Sequence, residues 1–151
     1  MPQTEVDLFR SVRSEQFPCG TVIDEKPAPE VLYPDFEPRL LPSGKRRQAD
    51  VSLSADKQWV RSGGGTSLFD RPNVFKAKGW STFGIPSGTV IPDSLLVRLT
   101  GFNQSFQANH YQIESRVDLM HIEAFKGALD NLARNAVVRS IKLARQNLPK
   151  Q

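Results

Sequence analysis

The sequence predicts an α+β fold, in which a mainly antiparallel sheet of short strands is followed by one long C-terminal helix. Between residues 58 and 114, short runs rich in β-branched and aromatic residues alternate with glycine, proline, serine and asparagine, a pattern typical of strands joined by turns. From residue 118 onwards, apolar residues recur at alternating steps of three and four, as in an amphipathic helix. Strands in one part of a chain and a helix in another indicate the α+β class.

The length and the apolar pattern limit the kind of protein that this chain can be. With 151 residues, it is long enough for a substantial core, and we expect a single domain over residues 1–151. No apolar run approaches the roughly 20 residues of a membrane-spanning helix, so a membrane is not an expected partner. Residues 1–5 lack the basic and then apolar pattern of a secretory signal. Any export must therefore use a machinery that reads no cleavable signal peptide.

The N-terminal third reads as one strand followed by an extended segment. Apolar positions within residues 4–13 predict a first strand that ends in charge. Six prolines between residues 18 and 44 exclude a long helix and disfavour a central strand. Such a segment is either disordered or an arm wrapped on the body of the protein. Because Leu32 and Phe36 offer apolar contacts, we expect a packed arm or loop over residues 18–56.

Further strands and the helix complete the predicted fold. The remaining strand candidates are residues 58–60, 80–85, 89–91, 95–99 and 105–113. The helix is predicted over residues 118–146, with Phe125 and Leu132 on its apolar stripe. Ser115 or Asp118 is expected to cap its first turn.

The single cysteine and the modest charge exclude several kinds of site. Cys19 alone cannot form an intrachain disulfide or a four-cysteine metal site, and we expect a thiol without a chemical role and no metal. A net charge of +4 is too small to indicate a nucleic-acid-binding protein, although a basic patch can steer an anionic ligand. The basic cluster at residues 45–47 (Lys-Arg-Arg) is interpreted as a solvated loop, with a phosphate contact or a nuclear-targeting signal as the alternative.

Residues 63–71 (Gly-Gly-Gly-Thr-Ser-Leu-Phe-Asp-Arg) form the most informative motif of the chain. Consecutive glycines permit positive φ and allow another group to approach the main chain closely. Thr66 and Ser67 then bring two hydroxyls to one point, and the apolar Leu68 and Phe69 can anchor the motif in a core. The motif is either a site for a polar ligand or a tight turn between strands whose hydroxyls cap local N–H groups.

The same stretch resembles the core signature of a small family of exported toxins of bacterial type VI secretion. Further matches follow in order and at similar spacing: Leu8-Phe9-Arg10 at the opening strand, Ile85-Pro86-x-Gly88-Thr89, Gln107-Ala108-x-His110-Tyr111, Leu129-Asp130-Asn131 and Arg134-Asn135-Ala136. Such toxins are similar to ADP-ribosyltransferases in fold. The resemblance therefore implies a split antiparallel sheet with a long C-terminal helix, and a cleft in which NAD is the substrate.

The resemblance also implies which residues form the cleft. When a nicotinamide–ribose bond breaks, positive charge develops on the ribose, so an enzyme must orient the ring and hold the diphosphate. Arg10 is expected to bind the diphosphate with its planar guanidinium, the alternative being a surface salt bridge at the end of a strand. Gly64 and Gly65 would let the backbone approach the nicotinamide amide. Thr66 and Ser67 would supply hydroxyls to the ribose or to a catalytic side chain.

His110 and Glu114 are the remaining catalytic candidates. His110 shares one face of a strand with Gln112 and Glu114. A neutral imidazole can bond a ribose hydroxyl or act as a base near neutral pH, and a structural hydrogen bond is the alternative. Gln112-Ile113-Glu114 resembles the Gln-x-Glu pattern of some transferases of this fold, in which the glutamate activates the acceptor. The toxin family requires no acid at that position, so Glu114 is a secondary catalytic candidate.

Three functions from different classes remain open. The resemblance favours a cytotoxic NAD-dependent ADP-ribosyltransferase-like effector, or an NAD glycohydrolase, that acts in the cytoplasm of a target cell on an unknown acceptor. The alternatives are a toxin that binds or cleaves nucleic acid through the same cleft, and a non-catalytic protein-interaction module. By family analogy, the partners would be the secretion apparatus and, in the cytoplasm of the producer, a cognate immunity protein that occludes the cleft.

Overall fold

A five-stranded antiparallel sheet and one long helix form the body of the chain in a computed structural model, which describes residues 2–147. A 3₁₀ turn at Ser14–Gln16 follows the first strand, and the helix α1 spans Ile122–Gln146. The strands are β1 (Leu8–Arg13), β2 (Val22–Ile23), β3 (Lys26–Pro27), β4 (Arg39–Leu40), β5 (Arg46–Arg47), β6 (Trp59–Arg61), β7 (Gly65–Phe69), β8 (Trp80–Ile85), β9 (Leu95–Asn103), β10 (Ala108–Ser115) and β11 (Leu119–His121).

The large sheet is split between two groups of strands. Its order is β8-β1-β7-β10-β9, and every pairing in it is antiparallel. β1 pairs with β8 at six positions, and β7 pairs with β10 at five. By contrast, β1 and β7 pair at one position, where Phe9 lies opposite Phe69. The predicted α+β class, with a split antiparallel sheet and a long C-terminal helix, is confirmed.

The core lies between one face of this sheet and α1. Leu8 on β1, Leu68 on β7 and Ile113 on β10 are buried on that face. The buried residues of α1 are Phe125, Ala128, Leu129, Leu132, Ala133, Ala136 and Val137. They recur at steps of three and four, as the sequence predicts for an apolar stripe. Each large side chain buried in this way contributes about 1.5–3 kcal/mol of transfer free energy.

The glycine-rich motif contains a central strand of the sheet, not the turn or loop that the sequence analysis expects. β7 lies between β1 and β10, and only Gly63 has a positive φ within the glycine run. Gly65 lies within the strand, and the residue there is glycine because no side chain would fit. An added Cβ would lie 1.7 Å from the carbonyl oxygen of Ile113 on β10. Glycine therefore signals a close backbone approach within the sheet rather than a bend.

Two further predictions about elements are wrong. Residues 89–91 form no strand, because Thr89 closes a turn in which its Oγ1 donates a hydrogen bond to the carbonyl oxygen of Pro86, and only Val90 makes an isolated bridge. The helix begins at Ile122 rather than at residue 118.

The late start of the helix has a local cause. Residues 119–121 form β11, which pairs with β6. The Nδ1 atom of His121 then accepts the backbone N–H of Glu123 and caps the helix in place of Ser115 or Asp118. Within residues 2–147, no helix has both the length and the apolar character needed to cross a membrane.

The proline-rich arm lies against the body of the protein. Val31 and Leu32 are buried with the core residues, and Val51 is buried near the end of the arm. Two short hairpins, β2 with β3 and β4 with β5, are the regular structure of the segment. The basic residues Arg46 and Arg47 form β5 and so belong to a hairpin, where the sequence analysis expects a loop. Cys19 is exposed.

Candidate functional site

A groove opens where β1 and β7 separate, and its volume is about 690 Å³. It lies between the arm on one side and the strands β1, β7 and β8 on the other. Side chains that line it include Arg10, Arg13, Tyr33, Asp35, Arg39, Arg47, Ser67, Phe69, Phe75 and Trp80. Four arginines thus meet in one groove, although the chain carries a net charge of only +4.

Arg10 spans the gap between the separated strands. Its Nη1 donates to the carbonyl oxygen of Ser67 on β7 at 3.2 Å, and its Nη2 donates to the carbonyl oxygen of Tyr33 in the arm at 3.3 Å. Its Nε is buried and has no hydrogen-bond partner among the residues that the structure describes. A buried donor without a partner is costly, so this N–H is available to an acceptor that the described chain does not supply.

The surroundings of Arg10 are mixed in charge. Burial lowers the pKa of Arg10 from its ordinary value, while the carboxylates of Asp50 and Asp35 oppose that shift and Arg47 adds to it. Because an arginine side chain is not deprotonated in proteins, the guanidinium keeps its charge. On the same strand, the guanidinium of Arg13 lies 4.4 Å from the ring centroid of Trp80, within cation–π distance.

Tyr33 fastens the arm to the helix. Its hydroxyl donates a hydrogen bond of 3.0 Å to Oδ2 of Asp130, and burial together with that carboxylate raises the pKa of Tyr33 to about 12. The ammonium of Lys126 lies 5.3 Å from the ring centroid of Phe36, next to Tyr33 in the same wall. The arm side of the groove is therefore held by α1, at the Leu129-Asp130-Asn131 motif.

Thr66 and Ser67, expected to act together, lie on opposite faces of β7. Thr66 is fully buried, and its Oγ1 donates to the carbonyl oxygen of Leu32 at 2.6 Å. Ser67 is half-buried and lines the groove. The separation follows from the strand, because successive side chains in a strand point to opposite faces. The structure thus brings the backbone carbonyl oxygen of Ser67 to Arg10, and it directs the Thr66 hydroxyl into the contact between sheet and arm.

Gly64 and Gly65 are placed against backbone rather than against the groove. An added Cβ on Gly64 would lie 2.5 Å from the carbonyl oxygen of Asp50, in the arm. On Gly65 it would meet Ile113 of β10, as described above. Neither glycine lines the groove. Their lack of a side chain lets the arm and β10 approach β7.

His110 lies beside the groove rather than in its wall. It is the β10 partner of Phe69, a lining residue, and the two ring centroids are 5.1 Å apart. Its Nδ1 shares a hydrogen bond with Oγ1 of Thr100. Burial, and then the positive charge of Arg98, lowers the pKa of His110 below its ordinary value. The imidazole is therefore neutral at pH 7, as a base or a hydroxyl acceptor requires.

Glu114 is buried at the end of the same face. Its carboxylate pairs with Arg98 at 3.2 Å and accepts a hydrogen bond of 2.8 Å from the side-chain amide of Gln112. Gln112 is in turn the β10 partner of Ser67. Ser67, His110 and Glu114 therefore share the sheet face opposite the helix, although His110 and Glu114 do not line the groove.

The sequence analysis missed several lining residues. Arg13 and Trp80 are on the adjacent strands β1 and β8, and Arg39 and Arg47 are on the arm. The basic cluster at residues 45–47 contains Arg47, but it was interpreted as a solvated loop, with a phosphate contact as one alternative. No local pattern indicated that the arm would carry it to Arg10. In the part of the chain that the structure describes, no group of three or more His, Cys, Asp or Glu could hold a metal ion.

Other motif residues stabilise the fold around the groove. Gly88 has a φ of +87°, and the guanidinium of Arg139 packs where a side chain on Gly88 would lie. Asn135 donates from its side-chain amide to the carbonyl oxygen of Val90. These contacts tie the helix to the turn after β8. The motifs thus mark both the groove and its scaffold.

Two comparisons with known proteins identify the family of the chain. Residues 4–141 match a family model described as the Tse2 ADP-ribosyltransferase toxin. The chain is also 36% identical over 152 residues to the protein named Toxin Tse2 from Pseudomonas aeruginosa strain PAO1, and the match covers 95% of each chain. The matched part of the chain contains every strand of the sheet and most of α1.

Proposed function

Because this chain belongs to the family of Tse2 ADP-ribosyltransferase toxins, we propose that it binds NAD in the arginine-lined groove and breaks its nicotinamide–ribose bond. The chain is a cytotoxic effector with an ADP-ribosyltransferase-like fold. In our proposal, the ADP-ribose is transferred to an acceptor macromolecule in the cytoplasm of the target cell. Hydrolysis of NAD without transfer is the second outcome of the same chemistry.

The state of Arg10 is the observation that carries this proposal. Two of its nitrogens donate to carbonyl oxygens, one on β7 and one in the arm, and its buried Nε has no partner among the described residues. A guanidinium oriented in this way fits a phosphate oxygen, because Arg donors match the planar spacing of phosphate acceptors. Arg13 on the same strand adds positive charge at the groove. The donor set therefore suits the diphosphate of NAD.

The remaining site residues receive roles from their positions. NAD, when bound, supplies the bond that breaks as positive charge develops on the ribose. Ser67 offers its hydroxyl to the ribose, and neutral His110 accepts a proton or a hydrogen bond from a ribose hydroxyl. Glu114, held by Arg98 and Gln112, is the candidate for activating the acceptor.

Gly64, Gly65 and Thr66 contribute to the site indirectly. Their contacts with Asp50, Ile113 and Leu32 hold β7 between the arm and β10. In our proposal they keep Ser67 in position, and they make no contact with NAD.

The proposal is tested by incubating the purified protein with NAD labelled in its adenylate half and with a lysate of target cells. Label on a macromolecule supports transfer, whereas free nicotinamide with the label in free ADP-ribose and on no macromolecule supports hydrolysis. Arg10→Gln should reduce either activity about 100-fold, the loss that a substrate misplacement of about 1 Å can cause. Arg61→Gln is the matched control, since Arg61 is exposed on β6 outside the groove. Equal activity of the Arg10 variant and the control would contradict the proposal.

A second candidate function rests on the basic cluster. Arg47 belongs to that cluster and lines the same groove, so an extended polyanion such as nucleic acid is the alternative ligand. Cleavage or tight binding of RNA or DNA by the same preparation, without NAD consumption, would favour this function. The proposed partners are those expected by family analogy, namely the secretion apparatus and an immunity protein that covers the groove in the producer.

A further inference from the structure

The arm carries two arginines side by side into the groove. In the hairpin of β4 and β5, Arg39 and Arg47 are direct cross-strand partners, and both line the groove. The next pair of the hairpin, Leu40 and Arg46, is exposed and does not line it. The hairpin therefore has one face that carries two positive charges toward the groove.

This pairing of like charges is unfavourable unless something compensates for it. Cross-strand partners have their Cβ atoms about 4.5–5.5 Å apart, and like charges at that spacing destabilise a hairpin. Arg47 lies 3.9 Å from Asp35 and 3.6 Å from Asp50, which are ion-pair contacts too long for hydrogen bonds. The backbone of Arg39 pairs with that of Arg47, but its side chain makes no ion pair or hydrogen bond with any residue that the structure describes.

The base of the hairpin is, in contrast, well fixed. The N–H of Asp35 donates to Oδ2 of Asp50 at 2.7 Å, and the N–H of Asp50 donates to the carbonyl oxygen of Asp35 at 2.8 Å. These two hydrogen bonds close the segment between residues 35 and 50. The two arginines are thus held on a fixed support while their guanidinium donors remain largely unused.

Arg10 and Arg13 reach the same groove from β1. We propose that the hairpin is a second phosphate clamp, so that the groove selects ligands with two linked phosphates: Arg10 binds one phosphate, and Arg39 with Arg47 binds the other. The identification of that ligand with NAD rests on the proposed function. The clamp itself follows from the free donors, because two linked phosphates supply acceptors for the Nε of Arg10 and the guanidinium of Arg39, which have none among the described residues. They also offer Arg47 a closer contact than its two carboxylates give.

Calorimetric titration with inorganic pyrophosphate, and separately with inorganic phosphate, tests the clamp without any enzymatic readout. The wild-type protein should bind pyrophosphate more tightly than phosphate. Arg39→Gln and Arg47→Gln should each weaken pyrophosphate binding about tenfold or more, the usual effect of losing a charged hydrogen bond. Both should leave phosphate binding, which needs Arg10, close to the wild-type value.

Arg46→Gln is the matched control, because it removes the same charge from the same strand on the face outside the groove. It should bind pyrophosphate like the wild type. Arg47→Lys keeps the charge but loses the planar fork, so its affinity should lie between those of the wild type and Arg47→Gln. Thermal unfolding of each variant checks the fold, and removal of either like charge should not lower the melting temperature.

The clamp is overturned if Arg39→Gln and Arg47→Gln bind pyrophosphate as the wild type does, or if phosphate binds as tightly as pyrophosphate. It is also overturned if a short oligonucleotide displaces pyrophosphate and Arg46→Gln weakens binding as much as Arg47→Gln. That result would identify a nucleic-acid surface. The proposed function fails separately, if the expected pyrophosphate pattern is found but NAD is neither transferred nor hydrolysed.

Discussion

The two edges of β7 are built differently, although one strand of five residues provides both. On one edge, β7 pairs with β10 at five positions in a regular antiparallel ladder. On the other edge, it pairs with β1 at Phe9 and Phe69 alone, and the strands then separate. Beyond that pair, the contacts of β7 are made by the side chain of Arg10 and by the arm. The closed edge stabilises the sheet, and the open edge provides the groove.

This difference teaches where substitutions should affect folding and where they should affect binding. At the closed edge, the backbone groups of β7 and β10 form hydrogen bonds with each other, so a substitution there should lower the stability of the fold. The open edge includes the buried Nε of Arg10, which has no partner among residues 2–147, and the guanidinium groups of Arg39 and Arg47. A substitution there should alter ligand affinity. The following predictions test that division, beginning with the largest expected effect.

Gly65→Ala should be the most destabilising substitution at the closed edge. Its Cβ would lie 1.7 Å from the carbonyl oxygen of Ile113, and relief of that clash requires β7 and β10 to separate. We expect a loss of about 4 kcal/mol or more in the free energy of unfolding, the range of severe core disruptions. Urea titration followed by circular dichroism measures this loss.

Gly127→Ala is the control for that prediction. Apart from its own stretch of α1, no atom of residues 2–147 lies within 4 Å of the position of an added Cβ on Gly127. Alanine is favoured over glycine in a helix, so this variant should gain about 0.5–1 kcal/mol in stability. If both variants unfold at the same urea concentration, β7 and β10 do not approach as closely as described.

Thr66→Val and Ser67→Ala should separate the two faces of β7. Valine removes the Thr66 hydroxyl and leaves the buried carbonyl oxygen of Leu32 without its donor, which costs about 1–3 kcal/mol of stability. Ser67→Ala should leave the free energy of unfolding nearly unchanged, because Arg10 bonds the backbone oxygen of Ser67 and not its hydroxyl.

The activity per folded molecule should show the reverse order. Thr66→Val should retain it under conditions in which the protein is fully folded, whereas Ser67→Ala should reduce NAD turnover. Unfolding curves and rates measured on the same preparations decide the matter. A Thr66 variant that is stable but inactive would return Thr66 to the binding site.

The reach of the sequence can be judged from these residues. The toxin family and the split α+β sheet were recognised correctly, and the stripe of Phe125 and Leu132 gave the helix because its period is a local property. The glycine-rich motif was singled out as a ligand site or a turn, and no strand was predicted where β7 lies, because consecutive glycines suggest a bend. A close approach between two strands depends on the partner strand, and no local pattern displays it.

The groove was harder to predict than the sheet. Arg10 was expected in the site from the family motif. Arg39 and Arg47, by contrast, lie in the arm, whose path is set by the burial of Val31 and Leu32 in the core. Contacts between residues so far apart in sequence are decided by packing. The roles of Arg10, Ser67, His110 and Glu114 in binding or catalysis stay predictions, and the experiments above address them.

The smallest expected effect concerns His110, which pairs with Phe69, the residue of β7 that is paired on both edges. Phe69 is paired with Phe9 on one side and with His110 on the other. Burial and then Arg98 lower the pKa of His110 in the folded protein, while the unfolded chain keeps a value near 6.5. As the pH falls below about 6.5, the unfolded state therefore binds more protons than the folded state, and stability decreases.

His110→Gln cannot take up that proton, so its melting temperature should fall less than that of the wild type between pH 7 and pH 5. The second histidine, His121, is present in both proteins, and the difference between their profiles therefore isolates His110. NAD turnover per folded molecule should be lower in the variant and should lose any pH dependence in this window, if the imidazole serves as a base. Parallel melting profiles with equal turnover would remove His110 from the site and leave Glu114 as the candidate on β10. If the melting temperature of the wild type falls more steeply but both proteins turn over NAD equally, His110 only stabilises the closed edge of β7. The chemistry would then lie entirely at the open edge.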